Sequence, residues 1–87
     1  MNNDEIFELV GYIMASDYRT RILKCIGNDI KVPSAIAEEI DLRTNHVSNV
    51  LKDLKDRNLV VCLNENARKG RLYKTTDLGL EILKYLH

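Results

Sequence analysis

The clearest alternation of hydrophobic and polar positions lies in residues 44–59. Its apolar positions recur at helical spacing, which predicts one amphipathic helix with a single buried stripe. Thr44 is expected to cap the start of this helix, and Asn58 can take the left-handed conformation that ends one. The apolar positions are Val47, Val50, Leu51 and Leu54.

The opposite face of this predicted helix is polar in an unusual way. Its side chains are short or able to form hydrogen bonds, whereas a merely solvated face is more often lined with Glu, Lys and Gln. Such a face near a helix start fits the reading of bases in a DNA major groove, and an ordinary polar surface helix is the alternative interpretation. The residues on this face are Asn45, His46, Ser48, Asn49 and Lys52.

Helices are also predicted at the two ends of the chain, over 4–15 and over 77–86, with Thr76 capping the second. Apolar residues spread over more than one side of each of these helices. Each therefore has more apolar surface than one small core can bury. We interpret the two as dimerisation helices.

The segment between the first helix and residue 44 predicts two more helices. One covers 17–26, with Ser16 before it as a cap or a linker, and a short edge strand at 30–32 follows it. The next covers 35–40, with Ser34 expected as its cap. A tight turn at 41–43 then leads into the amphipathic helix, which predicts a helix-turn-helix over 34–58.

After Leu59 the period of the apolar positions changes from helical to two, which predicts a β-hairpin over 60–75. Strands are expected at 60–63 and 71–75, joined by the polar loop 64–70. This loop fits a probe of DNA phosphates or of the minor groove, and a solubilising loop is the alternative. The cations at its tip are Arg68, Lys69 and Arg71.

The formal net charge is zero, which by itself argues against a nucleic-acid partner. The charge is nevertheless unevenly distributed. Residues 43–74 hold eight basic and three acidic residues, whereas residues 1–42 hold four basic and eight acidic ones. The positive charge therefore surrounds the amphipathic helix, as contact with phosphates requires.

The chain of 87 residues is long enough for one domain, and we take 1–87 as a single unit. No apolar run reaches the roughly 18 residues that span a bilayer, and the first residues lack a basic start, so a cytoplasmic protein without a membrane segment is expected. Cys25 and Cys62 lie among apolar residues and are predicted to be small buried thiols in a reducing compartment, with a disulfide or a metal pair as the alternative. Neither forms a metal-ligand spacing with His46 or His87, so neither a metal nor another cofactor is expected.

Three stretches resemble winged helix-turn-helix transcriptional regulators. Residues 16–23 resemble the Ser-x-x-Arg-x-x-Ile-Leu motif of metal-sensor repressors, and residues 36–54 resemble the core helix-turn-helix pattern. Residues 73–79 resemble the Tyr-x-Leu-Thr-x-x-Gly motif of multiple-antibiotic-resistance-type regulators, with Thr75 in place of the leucine. The ligand clusters of the metal sensors are missing, so metal sensing is not carried over.

The resemblance implies a mainly α fold with a small β-hairpin, in the order helix, helix, strand, helix, helix, strand, strand, helix. It further implies binding to double-stranded DNA, and the spare apolar surface of the two end helices predicts that the protein acts as a homodimer. The helix at 44–57 would enter the major groove, and the hairpin, or wing, would follow the backbone or minor groove. The implied DNA-binding residues are Arg43, Thr44, Asn45, His46, Ser48, Asn49, Lys52, Lys55, Arg68, Lys69 and Arg71.

A winged helix can also serve as a protein-interaction module within a larger assembly, and the neutral total charge favours that alternative. The basic block and the polar face of the amphipathic helix count against it. An enzyme is not expected, because no phosphate-binding loop, nucleophile–base pair or paired-carboxylate site stands out in the sequence.

Overall fold

The computed structural model describes residues 2–86 and contains five helices and three strands within them. This order of elements confirms the predicted mainly α fold with a β-hairpin. The elements are α1 Asn3–Met14, α2 Asp17–Ile26, β1 Ile30–Lys31, α3 Pro33–Ile40, α4 Thr44–Asp56, β2 Val60–Cys62, β3 Tyr73–Thr75 and α5 Asp77–Leu83.

Side-chain caps fix the starts of three helices. The hydroxyl of Ser16 accepts from the backbone N–H of Arg19 at 3.3 Å, and the hydroxyl of Thr76 accepts from Gly79 at 3.0 Å. The predicted cap at Thr76 is confirmed, and of the two roles expected for Ser16, a cap or a linker, the cap is the one observed. Asn2 caps α1 in the same way, so this helix begins one residue earlier than expected.

The predicted caps of α3 and α4 are wrong. The residues in extended conformation before these helices are Val32 and Arg43, and neither side chain forms a capping bond. Pro33 forces its predecessor into the extended region and itself fits the first helical position. Ser34 and Thr44 therefore lie inside the first turns of their helices, and neither is the N-cap.

The turns after α3 and α4 use the left-handed residues Asp41 and Asn58, and this conformation was predicted for Asn58. Their φ angles are 57° and 62°. In each turn the next residue donates its N–H to the carbonyl five positions back, from Leu42 to Ala37 and from Leu59 to Leu54, both at 2.9 Å. These bonds satisfy carbonyls that a helix end leaves free.

The three strands form one antiparallel sheet in the order β1-β3-β2. The hairpin of β2 and β3 and the edge position of β1 are both confirmed. Lys74 lies at the centre, paired with Ile30 on one side and with Val61 on the other. Both hairpin strands are shorter than predicted.

The core lies between the helices and the inner face of the sheet. Along α4, Val47, Leu51 and Leu54 are fully buried, which confirms three of the four predicted positions, and Val50 is half-buried.

Cys62 is buried and Cys25 is half-buried, both as free thiols. The last helix ends at Leu83, three residues before its predicted end. No helix among residues 2–86 combines the length and the apolar character that crossing a bilayer requires.

Candidate nucleic-acid interface

The polar face of α4 is open to solvent because the opposite face is held in the core. Every third or fourth position along this helix points inward, so the residues between them are turned outward together. The exposed side chains of this face are Thr44, Asn45, Ser48, Asn49 and Lys52.

His46 is placed differently from the other polar residues of α4. Its ring packs edge-on against the ring of Tyr18 at the start of α2, with 4.4 Å between the centroids and 64° between the planes. The imidazole is half-buried, whereas the other polar residues of this face are exposed.

The polar face of α4, the first turn of α3 and the wing enclose an open groove of about 840 Å³. Arg43, Asn45 and His46 are predicted DNA-binding residues that do not line this groove. Ser34 and Asn66 do line it, although neither is among the site residues predicted from the sequence. Of the predicted site residues, the groove brings together Thr44, Ser48, Asn49, Lys52, Lys55, Arg68, Lys69 and Arg71.

The position of Ser34 follows from the correction to the start of α3. Because Pro33 is the first helical residue, Ser34 is the second, and it lines the groove together with residues of the wing. The sequence carried a signal for it, since a serine at a helix start was recognised and only its role was assigned wrongly.

The wing loop is ordered by its own side chains. The amide oxygen of Asn64 accepts from the backbone N–H of Leu72 at 2.7 Å, and its amide nitrogen donates to the carbonyl of Gly70 at 3.1 Å. Gly70 has a φ of 66°, which a glycine adopts without strain. One asparagine side chain thereby joins the start of the loop to its end.

Arg71 also belongs to this internal network. Its Nε donates to the carbonyl of Ala67 at 2.9 Å, and its Nη2 donates to the carbonyl of Glu65 at 2.8 Å. The guanidinium is turned back into the loop, so Arg71 holds the shape of the wing. Arg68 and Lys69 at the tip remain exposed.

An ion pair between Lys55 and Glu65 joins α4 to the wing. Hydrogen bonding to the carboxylate raises the pKa of Lys55, and the same bond lowers the pKa of Glu65. Within residues 2–86, Lys52, Arg68 and Lys69 form no ion pair. These three cations can therefore meet an anion without first giving up a carboxylate.

The charge along the groove is positive overall. Its lining holds the cations Lys52, Lys55, Arg68, Lys69 and Arg71. The acidic residues of the lining are Asp56 and Glu65, and Glu65 is already bound to a lysine. A groove with excess cations beside a face of amides and hydroxyls can hold a phosphate backbone and contact base edges together.

A family model described as winged helix-turn-helix matches residues 17–87. Among solved structures, the chain is similar to TubR bound to 24 bp of tubC from Bacillus thuringiensis serovar israelensis pBtoxis. That match has a TM-score of 0.80 and 21% identity, and it covers 98% of this chain and 91% of the other. A type III plasmid segregation TubR mutant gives a TM-score of 0.78 at 21% identity, covering 97% and 88%. At this identity the likeness concerns the fold. No curated protein sequence matches the chain.

Proposed function

The chain belongs to the winged helix-turn-helix family, and we propose that it is a sequence-specific transcriptional regulator that binds double-stranded DNA as a homodimer. The observation that carries this proposal is the groove, in which the hydrogen-bonding face of α4 lies beside a wing with free cations. TubR, whose fold this chain shares, is bound to 24 bp of tubC, which supports a duplex as the partner.

We assign the major groove of DNA to α4. An α-helix fits this groove, and the amide of an asparagine can both donate to and accept from an adenine. Asn45, Ser48 and Asn49 are the exposed residues suited to base edges. His46 lies at the edge of this exposed face of α4, where its ring contacts that of Tyr18.

Phosphates would be held by the cations around that face. Arg43 and Thr44 lie at the start of α4, where the helix dipole and free backbone N–H groups also favour an anion. Lys52 lies further along the helix, and Arg68 and Lys69 lie on the wing. Lys55 joins them only where a phosphate takes the place of Glu65.

The homodimer is supported by apolar surface on α1 and near the end of the chain. Phe7 and Met14 are 57% and 62% exposed. The ring of Phe7 meets that of Tyr85 at a centroid distance of 5.7 Å and an angle of 74°. A second copy related by two-fold symmetry could cover this surface and would match a two-fold DNA site.

Fluorescence anisotropy with random duplex DNA at about 50 and 200 mM salt tests the proposal, on protein whose mass has been measured by light scattering. Release of counterions from contacted phosphates should lower the affinity by orders of magnitude over this range. A dimer that binds with this salt dependence would support the proposal. Absence of binding at low salt would refute it and favour a module that contacts protein.

A second candidate role comes from the structural neighbours, because one of them is a type III plasmid segregation protein. Such a protein could share the groove and differ only in where its DNA sites lie. Selection of preferred duplexes from genomic DNA, followed by two assays, separates the roles. A selected site that changes expression from an adjacent promoter supports transcriptional regulation, and one that only improves retention of a plasmid supports segregation.

A further inference from the structure

The outward face of the three-stranded sheet is apolar where a solvated face would be polar. An antiparallel sheet with one face in the core normally carries polar residues on the other. Here four apolar side chains are between 38% and 52% exposed and surround a single lysine. We call this surface the outer sheet face, and it consists of Ile30, Val61, Leu63, Leu72 and Lys74.

The strand register makes these five residues one continuous surface. Lys74 pairs with Ile30 on one side and with Val61 on the other, which gives one row across the sheet. The backbone N–H of Leu63 donates to the carbonyl of Leu72 at 2.8 Å, which extends the ladder to a second row. Side chains two positions apart on a strand share a face, so the leucine pair adjoins Val61 and Lys74. Contiguous exposed apolar surface of this kind indicates a binding site, whereas scattered single residues do not.

The outer sheet face is separate from the groove that we assign to DNA. Its neighbours along the strands, Val60, Cys62, Tyr73 and Thr75, are buried on the inner side. None of the five residues of the face lines the groove. A molecule bound there would leave α4 and the tip of the wing free.

The charge of Lys74 indicates which kind of partner fits. Within residues 2–86 this ammonium forms no ion pair, whereas Lys31, the other lysine of the sheet, pairs with Glu39 at 2.8 Å. A second copy stacked on this face by a two-fold axis would bring two Lys74 side chains together, and closing the interface would strengthen their repulsion. We propose that the outer sheet face binds a segment of another protein whose apolar side chains cover the four apolar residues and whose carboxylate pairs with Lys74.

Selection from a random-peptide phage library against the whole chain tests this proposal. We expect enriched peptides to combine apolar residues with one aspartate or glutamate. Replacing Val61 and Leu63 together by serine should lower the affinity for a selected peptide about tenfold or more, as measured by fluorescence titration. Glu38→Ser replaces an exposed side chain of α3 that belongs neither to the outer sheet face nor to the apolar surface assigned to the homodimer, and it should leave peptide binding unchanged.

The role of the Lys74 charge is tested by reversing the charge on the protein and then on the peptide. Lys74→Glu should abolish binding of the acidic peptide, and changing the peptide's carboxylate residue to lysine should restore it. Failure of any peptide to be enriched, or equal binding to the doubly substituted variant, would overturn the proposal. So would a halved mass of that variant in light scattering, since a second copy would then cover the face. Circular dichroism and random-duplex binding of the variants show independently that the fold and the DNA groove are intact.

Discussion

Gly79 faces the backbone carbonyl oxygen of Leu59 so closely that a Cβ at this position would overlap it. The same Cβ would lie 2.5 Å from Cγ2 of Thr75. The Leu59 carbonyl also accepts the backbone N–H of Thr76 at 3.1 Å, which fixes the entry to α5 beside the start of β2. The glycine that closes the motif at 73–79 is therefore needed for the packing of the last helix against the wing.

Gly79→Ala should lower the free energy of unfolding by about 1–3 kcal/mol, because the atom in its way belongs to the backbone and cannot rotate aside. Gly11→Ala is the matched control, since Gly11 is exposed on a helix and a Cβ there would have no neighbouring side chain within 4 Å among residues 2–86. There alanine should raise stability by up to about 1 kcal/mol. Urea denaturation followed by circular dichroism, at one protein concentration, measures both. Equal stabilities of the two variants would show that α5 does not need the close approach.

The sequence predicted those features of the fold that depend on neighbours along the chain. Ser16 and Thr76 were recognised as caps, and Asn58 was recognised as the left-handed end of α4, because each acts within a few residues of itself. The two wrong cap predictions, at Ser34 and Thr44, also have a local cause. Val32 and Arg43 begin their helices by backbone conformation alone, and no side-chain pattern marks such a start.

The candidate site was less predictable, because its chemistry depends on residues far apart in the chain. The excess of basic residues over 43–74 identified the region of the groove, but the sequence does not distinguish one of these cations from another. The structure separates Arg68, which is exposed, from Arg71, which is bonded to the loop, and from Lys55, which is paired with Glu65. A contact between α4 and a loop nine residues beyond it leaves no periodic signal in the sequence.

Asn64→Ala should loosen the wing, because it removes the acceptor of the Leu72 N–H and the donor to the Gly70 carbonyl. We expect the Leu72 amide to exchange with solvent about tenfold faster or more, as followed by NMR. Affinity for duplex DNA should fall with it, since the tip cations lose their fixed position. Asn66→Ala is the control for amide exchange in the same loop, because its side chain forms no hydrogen bond within residues 2–86. Unchanged exchange at Leu72 would mean that the loop is held without Asn64.

The ion pair between Lys55 and Glu65 should make the attachment of the wing to α4 depend on pH in the acid range. Because the pKa of Glu65 is lowered in the folded protein, the pair stabilises fully above the ordinary carboxyl value of 4.5 and is lost as pH falls through the lowered value. NMR titration of the Glu65 carboxyl should show this lowered pKa in the wild type and a return toward 4.5 in Lys55→Met. An identical titration in both proteins would contradict the pairing of α4 with the wing.

Phe7→Asp should dissociate the proposed homodimer, because it places a carboxylate in the apolar surface that a second copy would cover. The side chain is 57% exposed in the single chain, so the fold itself should remain intact by circular dichroism. Light scattering should then give half the wild-type mass, with weaker binding to a two-fold DNA site. Asp4→Asn changes a charge on the same helix outside the apolar surface and should leave the mass unchanged. A dimer that persists in Phe7→Asp would locate the interface elsewhere.

Asn49 and Arg68 should differ in what they contribute to DNA binding. Asn49 lies on the exposed face of α4. If its amide contacts a base, Asn49→Ala should weaken binding to the selected DNA site by about 1–3 kcal/mol more than binding to random duplex. Arg68 lies on the wing and forms no ion pair with any residue from 2 to 86, so Arg68→Ala should lower the affinity for both duplexes equally. It should also reduce the slope of log affinity against log salt by about one, because one phosphate contact is lost. Anisotropy titrations across a salt series measure both effects, and full affinity of both variants for the selected site would show that the groove between α4 and the wing is not the DNA interface.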